Sequence, residues 1–129
     1  MGAKILYIED NPGNRMLVRR ILLVEDYDVF EAEDGPTGIE IALREKPDLI
    51  LMDMNLPDLD GYELTKRMRA IPELTGIPII AMTANVMQGD REKTLAAGCS
   101  GYIPKPIDVD ELPLQIARFL KASGYKGDY

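Results

Sequence analysis

The chain has 129 residues, with 15 Lys and Arg against 22 Asp and Glu, and its formal net charge at pH 7 is −7. This length fits one domain with a substantial core, and the acidic balance disfavours a sequence-independent nucleic-acid binder, which neutralises phosphates with basic residues. With no histidine and one cysteine, the chain has neither a Ser-His-Asp or Cys-His catalytic arrangement, nor a His- or Cys-rich zinc site, nor an internal disulfide.

Five short runs of aliphatic and aromatic residues recur along the chain and predict five β-strands. These runs cover residues 5–8, 29–30, 49–52, 79–82 and 102–103. Several of them are apolar throughout instead of alternating with polar residues. That pattern is typical of strands that are buried on both faces of a parallel sheet.

The segments between these runs carry apolar residues at helical spacing, which predicts an amphipathic helix in each. The repeating positions are Leu17, Ile21 and Val24; Ile39 and Leu43; Leu64, Met68 and Ile71; and Leu112, Ile116, Phe119 and Leu120. Helix starts are indicated at Asn11-Pro12, Gly35-Pro36 and Asp60-Gly61, and a helix end at Gly98. The fourth helix, predicted over 87–97, has few apolar residues, so we expect it to bury little surface and to be less stable.

The alternation of strands and helices predicts an α/β protein of five β-α units, a (βα)5 three-layer sandwich with right-handed crossovers. We expect one domain over residues 1–121 and a short polar tail over 122–129. The acidic pair Glu9-Asp10 comes too early for a secretory signal peptide, and no apolar run approaches the roughly 18 residues of a membrane span. These features predict a cytoplasmic protein with no membrane or DNA partner.

Polar residues follow four of the predicted strands. They are Glu9-Asp10 after the first strand, Asp53 after the third, Thr83 after the fourth and Lys105 after the fifth. In an open parallel sheet, ligands bind beyond the carboxyl ends of the strands, so we expect these side chains to converge at one edge.

Three carboxylates at one edge would repel each other and tend to hold protons unless a cation joined them. Mg²⁺ suits them, since it prefers oxygen ligands and keeps several waters. Asp10 and Asp53 are the expected direct ligands, Glu9 acts through a water, and a backbone carbonyl near Asn55 completes the set. A lysine and a threonine hydroxyl beside them favour phosphoryl transfer, with the Asp53 carboxylate as a candidate acceptor.

The residues Glu9-Asp10, Asp53, Thr83, Tyr102 and Lys105-Pro106, taken together and in this order, resemble the signature of the receiver domain of two-component response regulators. The resemblance covers residues 4–120, nearly the whole chain. Taken singly, each residue also has an ordinary structural explanation, such as an acidic turn, a helix cap or a core tyrosine. The resemblance implies a flavodoxin-like fold with a parallel sheet of strand order 2-1-3-4-5.

The resemblance also implies a role for each matching residue. Asp53 is the implied phosphoacceptor, Lys105 pairs with the phosphoryl group, and Pro106 follows it through a cis peptide. Thr83 and Tyr102 are the implied switch residues. The implied Mg²⁺ ligands, for which Mn²⁺ is a substitute ion, are Glu9, Asp10, Asp53 and Asn55.

Two segments, 9–14 and 83–91, are further similar to receivers of hybrid sensor kinases and to stand-alone regulators of the cell-division and polarity type. One departure lies after the first helix, where many relatives place glycine before an aromatic residue and this chain has Glu25-Asp26-Tyr27. Aspartate tolerates left-handed backbone geometry better than most residues, so we expect the turn to be retained.

The expected function is therefore a signalling switch and not an enzyme acting on other substrates. A partner histidine kinase or histidine phosphotransfer protein supplies the phosphoryl group. The face formed by helix 4, strand 5 and helix 5 then signals to a downstream protein, or the group is passed on. Asn55 and Asn85 are expected to border the path of a hydrolytic water and so to set the lifetime of the phosphorylated state.

Two alternatives remain at this point. Haloacid-dehalogenase-type phosphatases also use a strand-end aspartate, but they normally carry a second aspartate two residues later, where this chain has Asn55. The other alternative is a flavodoxin-like binder or a scaffold that works without phosphorylation. The acidic Glu9-Asp10 pair would repel a phosphate group, which argues against a phosphate-binding first loop unless a metal ion lies between them.

Overall fold

The computed structural model describes residues 2–56, 60–84 and 88–124, except for the side chains of 88–90. The strands are β1 (Lys4–Ile8), β2 (Asp28–Ala32), β3 (Leu49–Asp53), β4 (Ile79–Thr83) and β5 (Gly101–Pro104). The helices are α1 (Pro12–Val24), α2 (Gly35–Glu45), α3 (Gly61–Arg69), α4 (Gln88–Ala96) and α5 (Glu111–Ala122). A short 3-10 helix, Pro72–Leu74, which the sequence pattern did not indicate, lies between α3 and β4.

All five strands are parallel and form one sheet of order β2-β1-β3-β4-β5. This arrangement confirms the expected strand order and the three-layer α/β architecture. Ile8 at the end of β1 pairs with Met52, Asp53 at the end of β3 pairs with Met82, and Thr83 pairs with Pro104. The register therefore brings the carboxyl ends of the three central strands and β5 to one edge of the sheet.

Two hydrophobic cores cover the two faces of the sheet. One core packs α2 and α3 against the sheet through buried side chains such as Ile41, Leu64 and Met68. The other packs α1 and α5 through Val18, Ile21, Leu112 and Ile116. Every residue of β3 and β4 is buried, as the continuous apolar runs predicted.

The apolar face of α1 differs from the predicted one. Ile21 is buried as expected, but Leu17 is 40% and Val24 is 78% exposed, and the buried stripe is Val18, Ile21 and Leu22. The helix carries so many aliphatic residues that more than one of its faces is apolar. Packing against the sheet buries one of these faces and leaves the other exposed.

The predicted helix starts are confirmed by side-chain caps. Asn11, Asp34 and Asp60 each precede a helix, and each side chain accepts a hydrogen bond from the backbone N–H three residues later. Gly98, with φ of 111°, follows α4 as expected. Asp26 has φ of 63°, so the turn after α1 adopts the left-handed conformation expected for the aspartate there.

Helix α4 begins at Gln88, and the predicted first residue, Met87, lies outside the described residues. Within 91–96 only Thr94 is buried, at 1% exposed, and Leu95 is 47% exposed. The expectation that α4 buries little surface is confirmed for these residues. Among the described residues, no helix is long and apolar enough to cross a membrane.

Arg69, the last residue of α3, joins three segments at the edge of the sheet opposite to the carboxyl ends. Its guanidinium donates to one hydroxyl and four backbone carbonyls at 2.6 to 3.4 Å. The acceptors are the carbonyl oxygens of Leu74, Thr75, Ile77 and Gly98 and the hydroxyl of Ser100. This single side chain therefore connects the loop before β4 with the turn that follows α4.

Candidate functional site

Three carboxylates meet at the carboxyl edge of the sheet. One oxygen from each of Glu9, Asp10 and Asp53 lies within 4.8 Å of the others. Glu9 is 1% and Asp53 is 2% exposed, whereas Asp10 is exposed. The cluster therefore has two acids at its base and one at its mouth. The convergence of the three residues at this edge was expected from the strand ends, whereas the difference in burial was not predicted.

Glu9 is held by donors on both carboxylate oxygens. Oε1 accepts from the Tyr7 hydroxyl at 3.0 Å and from Nδ2 of Asn14 at 3.2 Å, and Oε2 accepts from the Asn11 backbone N–H at 3.4 Å. The Glu9 backbone N–H donates to the Ala32 carbonyl at 2.9 Å. These contacts fix the buried carboxylate with its oxygens close to those of Asp10 and Asp53.

Arg15 fixes the backbone beneath the acidic pair. Its Nη1 donates to the carbonyl oxygens of Glu9 at 2.8 Å and Asp10 at 3.0 Å. The sequence analysis missed Arg15, Tyr7 and Asn14. For Asn14 and Arg15, the available signal was their position in the first turns of α1, directly after the acidic pair.

Lys105 connects β5 with the acids. Its Nζ lies 2.9 Å from Oδ1 of Asp53 and 3.5 Å from Oε1 of Glu9. Its backbone N–H donates to the Thr83 carbonyl at 2.8 Å, and the Lys105–Pro106 peptide bond is cis, as the resemblance implied. The lysine thus reaches the cluster from a strand that is two places away from β3 in the sheet.

The acids outnumber the cation that pairs with them, and the pKa values reflect this. Burial raises the pKa of Glu9, and the hydrogen bond and negative charge of Asp53 raise it further, while Lys105 lowers it. Burial lowers the pKa of Lys105, but its contacts with Asp53 and Glu9 outweigh burial and leave its pKa raised. Burial and the adjacent Glu9 raise the pKa of Tyr7. The cluster therefore favours protons or a further cation.

The residues that directly follow Asp53 lie against the start of α3. The Asn55 backbone N–H donates to Oδ1 of Asp53 at 3.2 Å, and Gly61 N–H donates to the Met54 carbonyl at 3.2 Å. A Cβ on Gly61 would lie 2.6 Å from Cα of Met54, so only glycine permits this approach. The first turn of α3 thereby packs against the end of β3.

The two expected switch residues occupy neighbouring strands. Thr83 ends β4 and is 2% exposed. Tyr102, in β5, pairs with Ala81 and is half-buried against the core on the α3 side of the sheet. The guanidinium carbon of Arg91 lies 5.7 Å from the centroid of the Tyr102 ring. Asn85, the expected lifetime residue, lies outside the described residues.

A five-stranded parallel sheet of this order, with its acids at the carboxyl edge, defines a flavodoxin-like fold of the type found in signal receivers. Residues 5–117 match the model of the response regulator receiver domain, and the chain belongs to this family. It is therefore a phosphoacceptor switch of two-component signalling. The phosphatase and scaffold alternatives are not favoured.

Individual relatives agree with this assignment. The polar-differentiation response regulator DivK of Brucella anthropi is 38% identical over 120 residues, which cover 93% of this chain and 98% of that protein. The receiver domain of a sensor histidine kinase of Pseudomonas aeruginosa, solved with a magnesium ion in its active-site cleft, is 41% identical. It superimposes with a TM-score of 0.85 over 94% of this chain and 99% of that domain.

A third relative confirms the fold at lower identity. The chemotaxis response regulator CheY4 of Vibrio cholerae is 27% identical, with a TM-score of 0.87 over 92% of this chain and 98% of that one. The similarity extends over almost the full length of DivK, of CheY4 and of the solved receiver domain of the sensor kinase.

Proposed function

We propose that Asp53 is the phosphoacceptor and that a partner phosphohistidine is the donor. The observation that carries this proposal is that the buried Asp53 carboxylate has an oxygen within 4.8 Å of oxygens of both Glu9 and Asp10 and lies 2.9 Å from the Lys105 ammonium. Glu9 is already engaged by four donors, and Asp10 lies at the exposed mouth. The contacts of Asp53 with Lys105 and Asn55 both fall on Oδ1, that is, on one oxygen of the carboxylate.

The reaction transfers the phosphoryl group from nitrogen to oxygen. A carboxylate oxygen of Asp53 forms a bond to phosphorus while the phosphorus–nitrogen bond of the phosphohistidine breaks. The electron pair of that bond returns to the imidazole nitrogen of the partner, which then takes up a proton. Placement of the two groups and neutralisation of charge are the main demands of such a transfer.

The donor set of the cluster fits Mg²⁺, because three carboxylates with oxygens within 4.8 Å supply hard oxygen ligands. We assign the metal site to Glu9, Asp10 and Asp53 together with the carbonyl of Asn55. Mn²⁺ is the expected substitute, since it accepts the same oxygen ligands. When bound, the divalent ion offsets the negative charge that collects on the acids and the phosphoryl oxygens.

Lys105 and Thr83 respond to the new group. A phosphoryl group adds a charge of roughly −1.5 to −2 and several acceptor oxygens near neutral pH. The Lys105 ammonium is already positioned 2.9 Å from the acceptor carboxylate and pairs with the added charge. The hydroxyl of the buried Thr83 donates a hydrogen bond to an oxygen of the phosphoryl group. The shift of Thr83 leaves room for the Tyr102 ring to turn inward.

The signal then leaves through the face formed by α4, β5 and α5. Ligand-linked changes require that the two states differ in their contacts, and Tyr102 provides that difference on this face. The partners are a histidine kinase or a histidine phosphotransfer protein on the input side and a protein target, or onward phosphotransfer, on the output side. The similarity to DivK supports a role related to polar differentiation.

The lifetime of the phosphorylated state is assigned to Asn55 and Asn85, which we expect to border the path of the attacking water. Substitution of Asn85 is expected to change the rate of autodephosphorylation and to leave phosphorylation itself possible. An unchanged rate would remove Asn85 from this role.

The decisive experiment is labelling with acetyl phosphate and Mg²⁺, read as the mass of one added phosphoryl group. We expect the wild-type chain to be labelled and Asp53→Asn to stay unlabelled. Asp48→Asn is the matched control, since Asp48 lies just before the start of β3 and its carboxylate accepts from the Lys4 backbone N–H at 2.8 Å. Equal labelling of Asp53→Asn and the control would refute the assignment.

A further inference from the structure

Two side chains of α4 make cation–π contacts with tyrosines of neighbouring elements. The guanidinium carbon of Arg91 lies 5.7 Å from the centroid of the Tyr102 ring, and Nζ of Lys93 lies 4.4 Å from the centroid of the Tyr62 ring. Within 91–96 only Thr94 is buried, so these two contacts join exposed side chains of α4 to half-buried rings of the neighbouring elements.

The two tyrosines occupy different kinds of position. Tyr62 lies in the first turn of α3, next to Gly61, whose close packing on Met54 fixes that turn. Tyr102 lies in β5 and is the residue whose ring turns when the switch operates. Both rings pack half-buried against the same core. The Lys93 contact therefore persists in both states, whereas the Arg91 contact depends on where the Tyr102 ring lies.

The Arg91 contact is sensitive to small movements of the ring. Cation–π attraction holds within about 6 Å of the ring centroid, and the observed distance of 5.7 Å is close to that limit. An inward turn of the ring away from α4 breaks the contact.

We propose that Arg91 is a positioning residue that stabilises the Tyr102 ring in its unphosphorylated placement and thereby opposes activation. This inference rests on the proposed roles of Asp53 and Tyr102. Arg91 is already exposed in the unphosphorylated state. In the activated state, its guanidinium leaves the ring and takes a different position on the α4–β5–α5 face. The face thus changes the placement of a positive charge as well as its shape.

The size of the effect follows from the type of contact. A contact made in only one of two states shifts their equilibrium by its full strength, whereas a contact made in both shifts nothing. For an exposed cation–π pair this corresponds to a factor of about two to five in the equilibrium constant. Removal of Arg91 should therefore favour activation by that factor, and removal of Lys93 should leave the equilibrium unchanged.

The test is a titration of the full chain with beryllium fluoride, a phosphoryl analogue, at saturating Mg²⁺. Backbone amide NMR signals of Tyr102 and Ile103 report the switch. We expect Arg91→Met to lower the half-saturating concentration of beryllium fluoride about two- to fivefold. Arg91→Lys keeps a cation, so its midpoint should lie between those of the wild type and Arg91→Met. Lys93→Met is the matched control and should keep the wild-type midpoint. Arg91→Gln provides a second neutral variant.

A double-mutant cycle separates the ring contact from other effects of Arg91. In a Tyr102→Leu background, which has no ring, Arg91→Met should leave the midpoint unchanged. A wild-type midpoint in Arg91→Met and Arg91→Gln, or the same shift with and without the Tyr102 ring, would overturn the inference.

The experiment also distinguishes failure of the inference from failure of the proposed function. If the wild-type chain shows no Mg²⁺-dependent response that Asp53→Asn abolishes, the phosphoacceptor assignment is wrong and the inference falls with it. If that response is present and the Arg91 variants match the wild type, only the role of Arg91 is wrong.

Discussion

The ammonium of Lys105 lies 2.9 Å from Oδ1 of Asp53, although 52 positions of sequence separate the two residues. Without a metal ion, this lysine is the cation in contact with the buried acids of the cluster. A divalent ion at the same acids would therefore bind beside an existing positive charge. The lysine stabilises the acids and opposes the metal at the same time.

Replacement of Lys105 by methionine should strengthen Mg²⁺ binding while it weakens the response to phosphorylation. One positive charge near a divalent ion opposes binding by about 1–2 kcal/mol at the dielectric constant of water, which corresponds to roughly tenfold in affinity. Calorimetric titration with Mg²⁺ measures this change. Lys105→Arg keeps the charge and serves as the control, and weaker Mg²⁺ binding by Lys105→Met would contradict the prediction.

Replacement of Glu9 by glutamine should stabilise the metal-free protein at pH 7. Burial raises the pKa of Glu9 above its ordinary value of 4.5, so the folded state binds more protons than the unfolded state above that pH. Stability should therefore fall as the pH rises from about 4.5 through the raised pKa. We expect Glu9→Gln to gain about 1 kcal/mol in the free energy of unfolding, or about 3–5 °C in melting temperature.

Two further measurements check the Glu9 prediction. The difference between Glu9→Gln and the wild type should vanish near pH 4, where both side chains are uncharged. Added Mg²⁺ should reverse the order at pH 7, because ligand at 100 times its Kd stabilises the wild type by about 2.7 kcal/mol. A variant less stable than the wild type in the absence of metal at pH 7 would refute this reading.

Replacement of Thr83 by valine should separate phosphorylation from signalling. Valine has a similar shape but lacks the hydroxyl, so it retains the packing of this 2% exposed site and removes a hydrogen-bond donor. We expect Thr83→Val to be labelled by acetyl phosphate as the wild type is, with smaller amide shifts across 101–103 when beryllium fluoride binds. Thr83→Ser retains the hydroxyl and should retain the shifts. Wild-type shifts in Thr83→Val would argue against its switch role.

Replacement of Arg69 by methionine should destabilise the fold without altering the site. The guanidinium serves five acceptors, and removal of such a network costs about 2–4 kcal/mol in the free energy of unfolding. Arg67→Met on the same helix is the control, since Arg67 makes an exposed pair with Glu63 at 3.7 Å that contributes at most about 0.5 kcal/mol. Urea unfolding measures both, and equal effects would refute the role of Arg69.

The sequence predicted the parts of the fold that depend on strong local patterns. The uninterrupted apolar runs of β3 and β4 indicated buried parallel strands, and strand ends indicated where Glu9, Asp53 and Lys105 converge. The buried stripe of α1 was predicted wrongly, because Leu17 and Val18 are equally apolar and only the sheet decides which one is covered. Arg15 was not predicted because it acts through the backbone carbonyls of Glu9 and Asp10, so its position after the acidic pair was the one indication of its role. The contact between Arg91 and Tyr102 could not be predicted, because the two residues lie on different elements and only the folded structure brings them together.

The Arg69 network has a consequence for how this chain can change over time. Four of its five acceptors are main-chain oxygens, which every amino acid possesses. The shape of the loop before β4 is therefore specified by a residue outside the loop. Substitutions at exposed loop positions such as Glu73 and Thr75 leave the acceptors in place, whereas a one-residue deletion there would move the three acceptors that lie in the loop. This segment should accept sequence drift readily and length change poorly.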